Sequence, residues 1–190
     1  MKKLLLNKLI LQHWNLFSFI TIFLGGVWIL FSAGYQNNLL SIENPLPQKG
    51  FLAPDFELVS LDGQQIKLTQ FRGTPVIINF WASWCQPCRI EMPAIQNALK
   101  TYADQQIMIL AVNMTNQDNE TQVRAFVQEL NLSFPVLLDQ ASIAGSLYQV
   151  SALPTTYFVR SDGIINEVVI GGPMSEALLL TRIENLLNQR

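Results

Sequence analysis

The chain has 190 residues, with 12 lysines or arginines against 14 aspartates or glutamates, which gives a net charge of −2 at neutral pH. Three of the lysines lie within the first eight positions, so the rest of the chain carries nine basic and fourteen acidic side chains. That acidic balance argues against nucleic-acid binding, because phosphate contacts need a basic face.

The N-terminal region has the features of a membrane anchor. Lys2, Lys3 and Lys8 precede an uncharged stretch in which Leu16–Tyr35 is mostly apolar. About 20 such residues are enough for a helix to cross about 30 Å of hydrocarbon. Lysines before the span predict a cytoplasmic N terminus. We therefore predict a cytoplasmic stub and signal-anchor transmembrane helix over residues 1–35, which places the rest outside the cell membrane.

A cleaved signal peptide is the alternative for this region. Its apolar core normally has about 7 to 15 residues before small residues at the cleavage site, and Ser32-Ala33-Gly34 keeps that alternative open. The apolar segment is longer than such a core, which favours a retained anchor. The next residues, 36–49, are polar, contain Pro45 and Pro47, and are predicted to form a tether. Residues 50–190 are enough for one domain with its own core.

The predicted elements of this domain alternate between strands and helices. Residues 56–58 and 66–68 have the pattern of a hairpin. Apolar runs at Val76–Trp81 and Ile107–Val112 predict strands covered on both faces, with a helix at Pro87–Tyr102 between them. The later predicted elements are a helix at 120–130 capped by Asn119, a strand at 135–138, a short helix at 143–148, a hairpin of 155–159 and 164–170, and a C-terminal helix capped by Ser175. This order predicts an α/β fold with a mixed central sheet and helices on both faces.

Both cysteines of the chain lie in one motif, Cys85-Gln86-Pro87-Cys88, directly after the first buried strand and Trp84. As a structural crosslink such a pair is weak, since the chain-entropy model gives about 2 kcal/mol for so small a ring and about 4.7 for a loop of roughly 100 residues. A closed zinc site usually takes four Cys or His ligands, and the only histidine, His13, lies beside the predicted anchor. The motif therefore predicts a dithiol that cycles to a disulfide.

A helix that begins near Cys85 would give the two sulfurs different chemical roles. Free backbone N–H groups and the positive end of the helix dipole favour a thiolate at Cys85, which makes it the attacking sulfur. Cys88 lies one turn further in and would resolve the mixed disulfide. Pro87 suits the first helical turn, because its missing N–H is not needed there. No further cofactor and no metal are expected.

Glu91 lies three residues after Cys88, on the same face of the predicted helix. On spacing alone, a surface glutamate is the more common situation. The functional hypothesis is a buried acid with a raised pKa that exchanges a proton with Cys88. The spacing leaves both interpretations open. On the same grounds Pro154 is only a proline at the start of a strand.

Several of these segments together resemble the thioredoxin superfamily. They are Phe80–Cys88, Pro93 and Leu153-Pro154-Thr155-Thr156, while residues 50–56 resemble the opening of its redoxin branch. Glu91 and the anchor are similar to the ResA/TlpA-like membrane-anchored oxidoreductases. The resemblance implies a thioredoxin-like fold in which Pro154 is a cis-proline beside the disulfide and helps to dock the substrate. We expect Trp84, Gln86, Pro87 and Leu153 to bind substrate with it.

The resemblance also implies a function, namely reduction of exported disulfides, especially the haem-attachment cysteines of apocytochrome c. Electrons would come through the membrane from a CcdA-like partner. One departure from thioredoxins proper is Asn79, which stands where they have a buried aspartate, and Glu91 is the candidate replacement.

Three alternatives to this function remain. One is a general extracytoplasmic reductase or oxidase of folding proteins. A thiol peroxidase is less favoured, since Ala82 and Ile78 occupy the positions of the threonine and proline of peroxiredoxins. A non-enzymatic binding module would not require both thiols.

Overall fold

The computed structural model describes residues 23–30 and 45–189. Residues 23–30 are helical and their side chains are exposed. Over the ranges described, none of the helices combines the length and the apolar character needed to cross a bilayer. Most of the predicted anchor, Leu16–Tyr35, and the start of the predicted tether, 36–44, lie outside the described residues.

From residue 45 onward, strands and helices follow the order predicted from the sequence. Those elements are β1 (Glu57–Ser60), β2 (Gln65–Lys67), β3 (Val76–Trp81), α1 (Gln86–Thr101), β4 (Met108–Asn113), α2 (Glu120–Glu129), β5 (Val136–Leu138), α3 (Ile143–Leu147), β6 (Thr155–Val159), β7 (Ile165–Ile170) and α4 (Glu176–Leu187). Asn119 caps α2 and Ser175 caps α4, as the sequence predicted. Short 3-10 turns lie at Leu68–Phe71, Ala103–Gln105 and Thr115–Gln117.

The strands form one mixed sheet in the order β2-β1-β5-β4-β3-β6-β7. β3 and β4 are parallel, as are β4 and β5, whereas the other neighbouring pairs are antiparallel. The predicted mixed sheet, and the unit of two parallel strands joined by a helix, are therefore confirmed. In the register between β3 and β6, Asn79 lies opposite Thr156, which brings two buried polar residues together at the centre of the sheet.

The central strand β3 is buried on both faces, and each of its residues is at most 3% exposed. Its alternating side chains enter two separate cores. On one face Trp81 packs on Phe126 of α2, with 4.7 Å between the ring centroids. On the other, Phe80 packs on Tyr148 just after α3, at 5.2 Å. Helices therefore cover both faces, which explains why this strand is a continuous apolar run.

The segment before β1 is bonded to the last strand of the sheet. The N–H of Gly50 donates to the carbonyl of Ile165 at 2.8 Å, and the N–H of Ile165 donates to the carbonyl of Phe51 at 2.9 Å. Leu46 joins this segment through a hydrogen bond from its N–H to the carbonyl of Leu52. Backbone contacts with the domain thus begin no later than residue 46.

Candidate active site

Cys85 and Cys88 form a disulfide at the N terminus of α1, with an S–S distance of 2.04 Å and a Cα–Cα distance of 5.3 Å. Cys85 is the N-cap residue, so its sulfur lies at the free backbone N–H groups of the first turn and accepts from the N–H of Cys88 at 3.2 Å. Pro87 occupies the first turn, as predicted, and the helix continues through Pro93. Cys85 keeps 4% of its surface exposed and Cys88 none. Cys88 is therefore the more sheltered sulfur.

A groove of about 320 Å³ opens beside the disulfide. Four residues predicted to bind substrate line it together with Cys85, namely Trp84, Gln86, Pro87 and Leu153. The rest of the lining comes from other parts of the chain, which are Met114, Gln117 and residues 150–152. Trp84 is 58% exposed at the rim, a large apolar surface left open to solvent.

Glu91 lies inside the protein, with only 1% of its surface exposed. Its Oε1 accepts from Nδ2 of Asn79 at 3.0 Å, and its Oε2 accepts from the backbone N–H of Met174 at 2.9 Å. The hydroxyl of Thr156 lies 3.4 Å from Oε1. Burial raises the pKa of Glu91, and these hydrogen bonds offset only part of that effect. The surface interpretation of this residue is wrong, whereas its burial and raised pKa are as hypothesised.

The predicted cis-proline meets Glu91 through the loop that follows β7. The Leu153–Pro154 peptide bond is cis, as is Gly172–Pro173. A methyl group on Gly172 would lie 2.7 Å from Cγ of Pro154 and 2.9 Å from Oε2 of Glu91, too close for either neighbour to stay in place. The N–H of Gly171 donates to the carbonyl of Pro154 at 2.8 Å. Residues 171–174 therefore contact both Pro154 and Glu91.

Sequence reasoning missed two residues of this site. No pattern in the sequence around Gly172 marks it, because the residues that it lies against, Pro154 and Glu91, come from other parts of the chain. Asp118 accepts hydrogen bonds from the backbone and side chain of Ser83, two residues before Cys85, yet in the sequence it is merely the residue before a helix cap. An acidic residue beside a predicted N-cap was the only available signal, and it is too common to be specific.

Comparison with known proteins now adds to this geometry. The family model described as "AhpC/TSA family" matches residues 50–168. The chain belongs to this family. It is 39% identical over 153 residues to the thioredoxin-like protein YneN of Bacillus subtilis, covering 78% of this chain and 89% of that protein. It is 37% identical over 150 residues to the thiol-disulfide oxidoreductase ResA of Oceanobacillus iheyensis, covering 77% and 74%.

Among solved structures, the fold is similar to a putative thiol:disulfide interchange protein DsbE from Chlorobium tepidum. The TM-score is 0.68 at 29% identity, over 74% of this chain and 98% of that one. The resemblance to the thioredoxin superfamily is thereby confirmed. The chain is a thiol-disulfide oxidoreductase of the ResA and DsbE type, with a redox-active pair at Cys85 and Cys88.

Proposed function

We propose that the protein is anchored in the cell membrane by the helix predicted within residues 1–35 and reduces protein disulfides on the extracytoplasmic side. Its preferred clients are the haem-attachment cysteines of apocytochrome c, and a CcdA-like membrane protein returns electrons to it. Its redox group is the Cys85/Cys88 pair. The observation that carries thiol-disulfide exchange at this pair is the buried Glu91 one helical turn after Cys88, since a proton acceptor inside the protein serves the sulfur that solvent does not reach.

The reaction begins from the reduced protein, with Cys85 as a thiolate and Cys88 as a thiol. The N-terminal end of α1 stabilises the negative charge on Cys85. The Cys85 thiolate attacks one sulfur of the client disulfide, which forms a mixed disulfide and releases the other client sulfur as a thiolate. That leaving thiolate takes a proton from solvent.

In the second step Cys88 gives its proton to the Glu91 carboxylate and attacks the sulfur of Cys85. The Cys85–Cys88 disulfide forms and the second client sulfur leaves as a thiolate. Glu91 is now protonated and neutral, so the negative charge that it carried lies on the client thiolate and the total charge is unchanged. Two electrons pass to the client, and the enzyme is left in the oxidised state that the structure contains. The raised pKa of Glu91 suits this role, because a general acid-base group works best when its pKa lies near the working pH.

Asn79 can serve both protonation states of Glu91. Its Nδ2 donates to the carboxylate, while its Oδ1 is buried and is without a hydrogen-bond partner among the described residues. After a flip of the amide, Oδ1 would accept from the protonated acid instead. An aspartate at this position would place a second negative charge against Glu91. The presence of Glu91 therefore accounts for the asparagine where thioredoxins proper have an aspartate.

The test combines a redox titration with a client assay. We expect a Cys85/Cys88 potential near the reducing end of the range spanned by such domains, about −270 mV for thioredoxin and about −120 mV for DsbA. The reduced protein should also reduce an oxidised Cys-X-X-Cys-His peptide faster than insulin. A potential near the oxidising end would contradict the reductase and favour an oxidase of folding proteins. Equal rates with both substrates would favour a general reductase.

The anchor is tested separately. N-terminal sequencing of the mature protein should find the first residues in place, and a start near Tyr35 would contradict a retained helix. In a strain without the protein, loss of c-type cytochromes is expected, and normal levels would remove apocytochrome c from the proposal.

A further inference from the structure

The carboxylate of Asp118 lies at the centre of a cluster of donors beside the active-site motif. Oδ2 accepts from the N–H of Ser83 at 2.6 Å and from Nδ2 of Asn113 at 2.9 Å. Oδ1 accepts from the hydroxyl of Ser83 at 2.5 Å and from the N–H of Asn119 at 2.7 Å. Four donors therefore converge on one half-buried side chain, and three of them belong to segments other than its own turn.

Capping of α2 does not explain this arrangement. The cap is supplied by Asn119, whose own Oδ1 accepts from the N–H of Thr121 at 2.9 Å. Asp118 instead connects the end of β4, through Asn113, with the loop between β3 and α1, through Ser83. A carboxylate is the only side chain of this size with two acceptor oxygens, whereas an asparagine would turn an NH₂ group toward two of the donors.

The connection fixes one wall of the groove beside the disulfide. The residue after Ser83 is Trp84, whose indole N–H donates to the carbonyl of Gln117 at 2.9 Å. Trp84 and Gln117 both line the groove. Asp118 follows Gln117 directly, so two adjacent residues of this turn hold two adjacent residues of the active-site loop. The Trp84 ring is thereby held although most of its surface is exposed.

We propose that Asp118 is a positioning residue for exchange with protein disulfides, because it holds Trp84 and Gln117 together as a preformed wall for the client. The proposal rests on the proposed function in one respect, which is that the client is a protein. Burial opposes ionisation of Asp118, but the hydrogen bonds from Asn113, Ser83 and Asn119 outweigh it and keep its pKa below the usual value. The carboxylate is therefore charged under working conditions. A small disulfide reaches Cys85 without this wall, so its reaction should not depend on Asp118.

The experiment compares a large and a small substrate in an Asp118→Asn variant. We expect KM for insulin to rise about tenfold, corresponding to about 1.4 kcal/mol, with kcat changed by less than about twofold. The rate with oxidised glutathione should stay within about twofold of the unmodified protein. Ser83→Ala removes one donor and keeps the backbone N–H, so its effect on KM should be smaller. Asp162→Asn is the matched control, because Asp162 also accepts a backbone N–H, from Ile164, but lies in the turn between β6 and β7.

Equal slowing with insulin and glutathione, or no change in either, would overturn the proposal. Hydrogen exchange of the Trp84 indole N–H gives a second measurement that needs no client. It should speed up by about tenfold in Asp118→Asn and remain unchanged in Asp162→Asn. If the unmodified protein reduces neither insulin nor the oxidised Cys-X-X-Cys-His peptide, the proposed function fails, and indole exchange still decides whether Asp118 holds the wall. Unchanged exchange would overturn that part as well.

Discussion

Two carboxylates flank the active-site motif, and their surroundings act on them in opposite directions. Glu91 lies one helical turn after Cys88, nearly without exposed surface, and burial raises its pKa. Asp118 lies beside the motif, half-buried, and four hydrogen-bond donors together lower its pKa. The same chemical group is thus kept able to take up a proton at one position and kept charged at the other.

The difference shows that the number of hydrogen-bond donors, as well as the extent of burial, determines whether the pKa of a buried carboxylate rises or falls. Glu91 has one backbone N–H at 2.9 Å and two side-chain partners, too few to offset its loss of water. Asp118 has two backbone N–H groups, at 2.6 and 2.7 Å, and keeps part of its exposure to solvent. This difference supports the proposed proton transfer at Glu91 and the proposed positioning role of Asp118.

The largest expected effect comes from removing Cys88. In Cys88→Ala, client release should stop and the mixed disulfide on Cys85 should accumulate, because no second sulfur can resolve it. Formation of that complex then reports the first step alone. In this background Glu91→Gln should leave the rate of complex formation with insulin unchanged, while Asp118→Asn should slow it about tenfold. Gel electrophoresis without reductant measures the complex, and slowing by both substitutions would abolish the distinction between the two carboxylates.

The second-largest effect is expected from a substitution at Gly172, which lies against Pro154 and Glu91 and not against Asp118. A methyl group there would press on Pro154 and Glu91, so Gly172→Ala should lower the free energy of unfolding by about 1 to 3 kcal/mol, as is typical of overpacking. Urea unfolding measures this loss, and titration of the thiols in the reduced variant should show a shifted Cys88 pKa.

Gly171→Ala is the control for Gly172. Gly171 has a φ of +81° and no atom within 4 Å of an added methyl group. Its substitution should therefore cost about 1 kcal/mol of backbone strain while leaving the thiol titration unchanged. If both variants shift the titration equally, the close contact at Gly172 is not the cause.

The smallest effect is the pH dependence of stability that Glu91 contributes. Its pKa is higher in the folded than in the unfolded protein, so the folded state binds the proton more tightly. The contribution of Glu91 to the free energy of unfolding is complete below about pH 4.3, where an unperturbed glutamate titrates. It is lost as the pH rises through the raised pKa of Glu91 in the folded protein. Glu91→Gln lacks this loss, so its stability relative to the unmodified protein should improve with rising pH. The oxidised protein should be used, because its cysteines do not titrate.

Glu120→Gln is the control for the removal of a carboxylate. Glu120 pairs with Arg124 at 2.6 Å on the exposed side of α2. Its substitution should change the free energy of unfolding by less than about 1 kcal/mol, without the pH trend of Glu91→Gln. A Glu91→Gln curve parallel to that of the unmodified protein between pH 4 and 8 would contradict the buried-acid assignment.

The sequence was enough to predict the element order, because each element carries a local pattern. The continuous apolar run of Val76–Trp81 marks a strand covered on both faces, and Asn119 and Ser175 mark helix starts. Burial of Glu91 could not be decided in the same way. Its partners are 12, 65 and 83 residues away, on β3, β6 and the loop before α4. Their convergence depends on the strand order of the sheet, which no local pattern states.

The place of Asp118 in the site was not predicted, for a related reason. Its donors include Ser83, 35 residues earlier, and they meet because β3 and β4 are parallel neighbours whose carboxyl ends share one edge. Asn113 at the end of β4 and Ser83 after β3 are thus brought to the same place. A parallel pair was predicted here, but the turn that follows β4 has no feature that indicates which of its polar side chains contacts the loop between β3 and α1.

The unequal exposure of the two sulfurs has a kinetic consequence. Of the two sulfurs, only that of Cys85 belongs to a residue with exposed surface. A thiolate that reduces the oxidised protein must therefore attack the same sulfur that forms the mixed disulfide with the client. In the proposed reaction, the electron donor and the client therefore react with the same sulfur and cannot be bound to it at the same time. The proposed function then predicts double-displacement kinetics, in which an excess of either partner inhibits the reaction of the other.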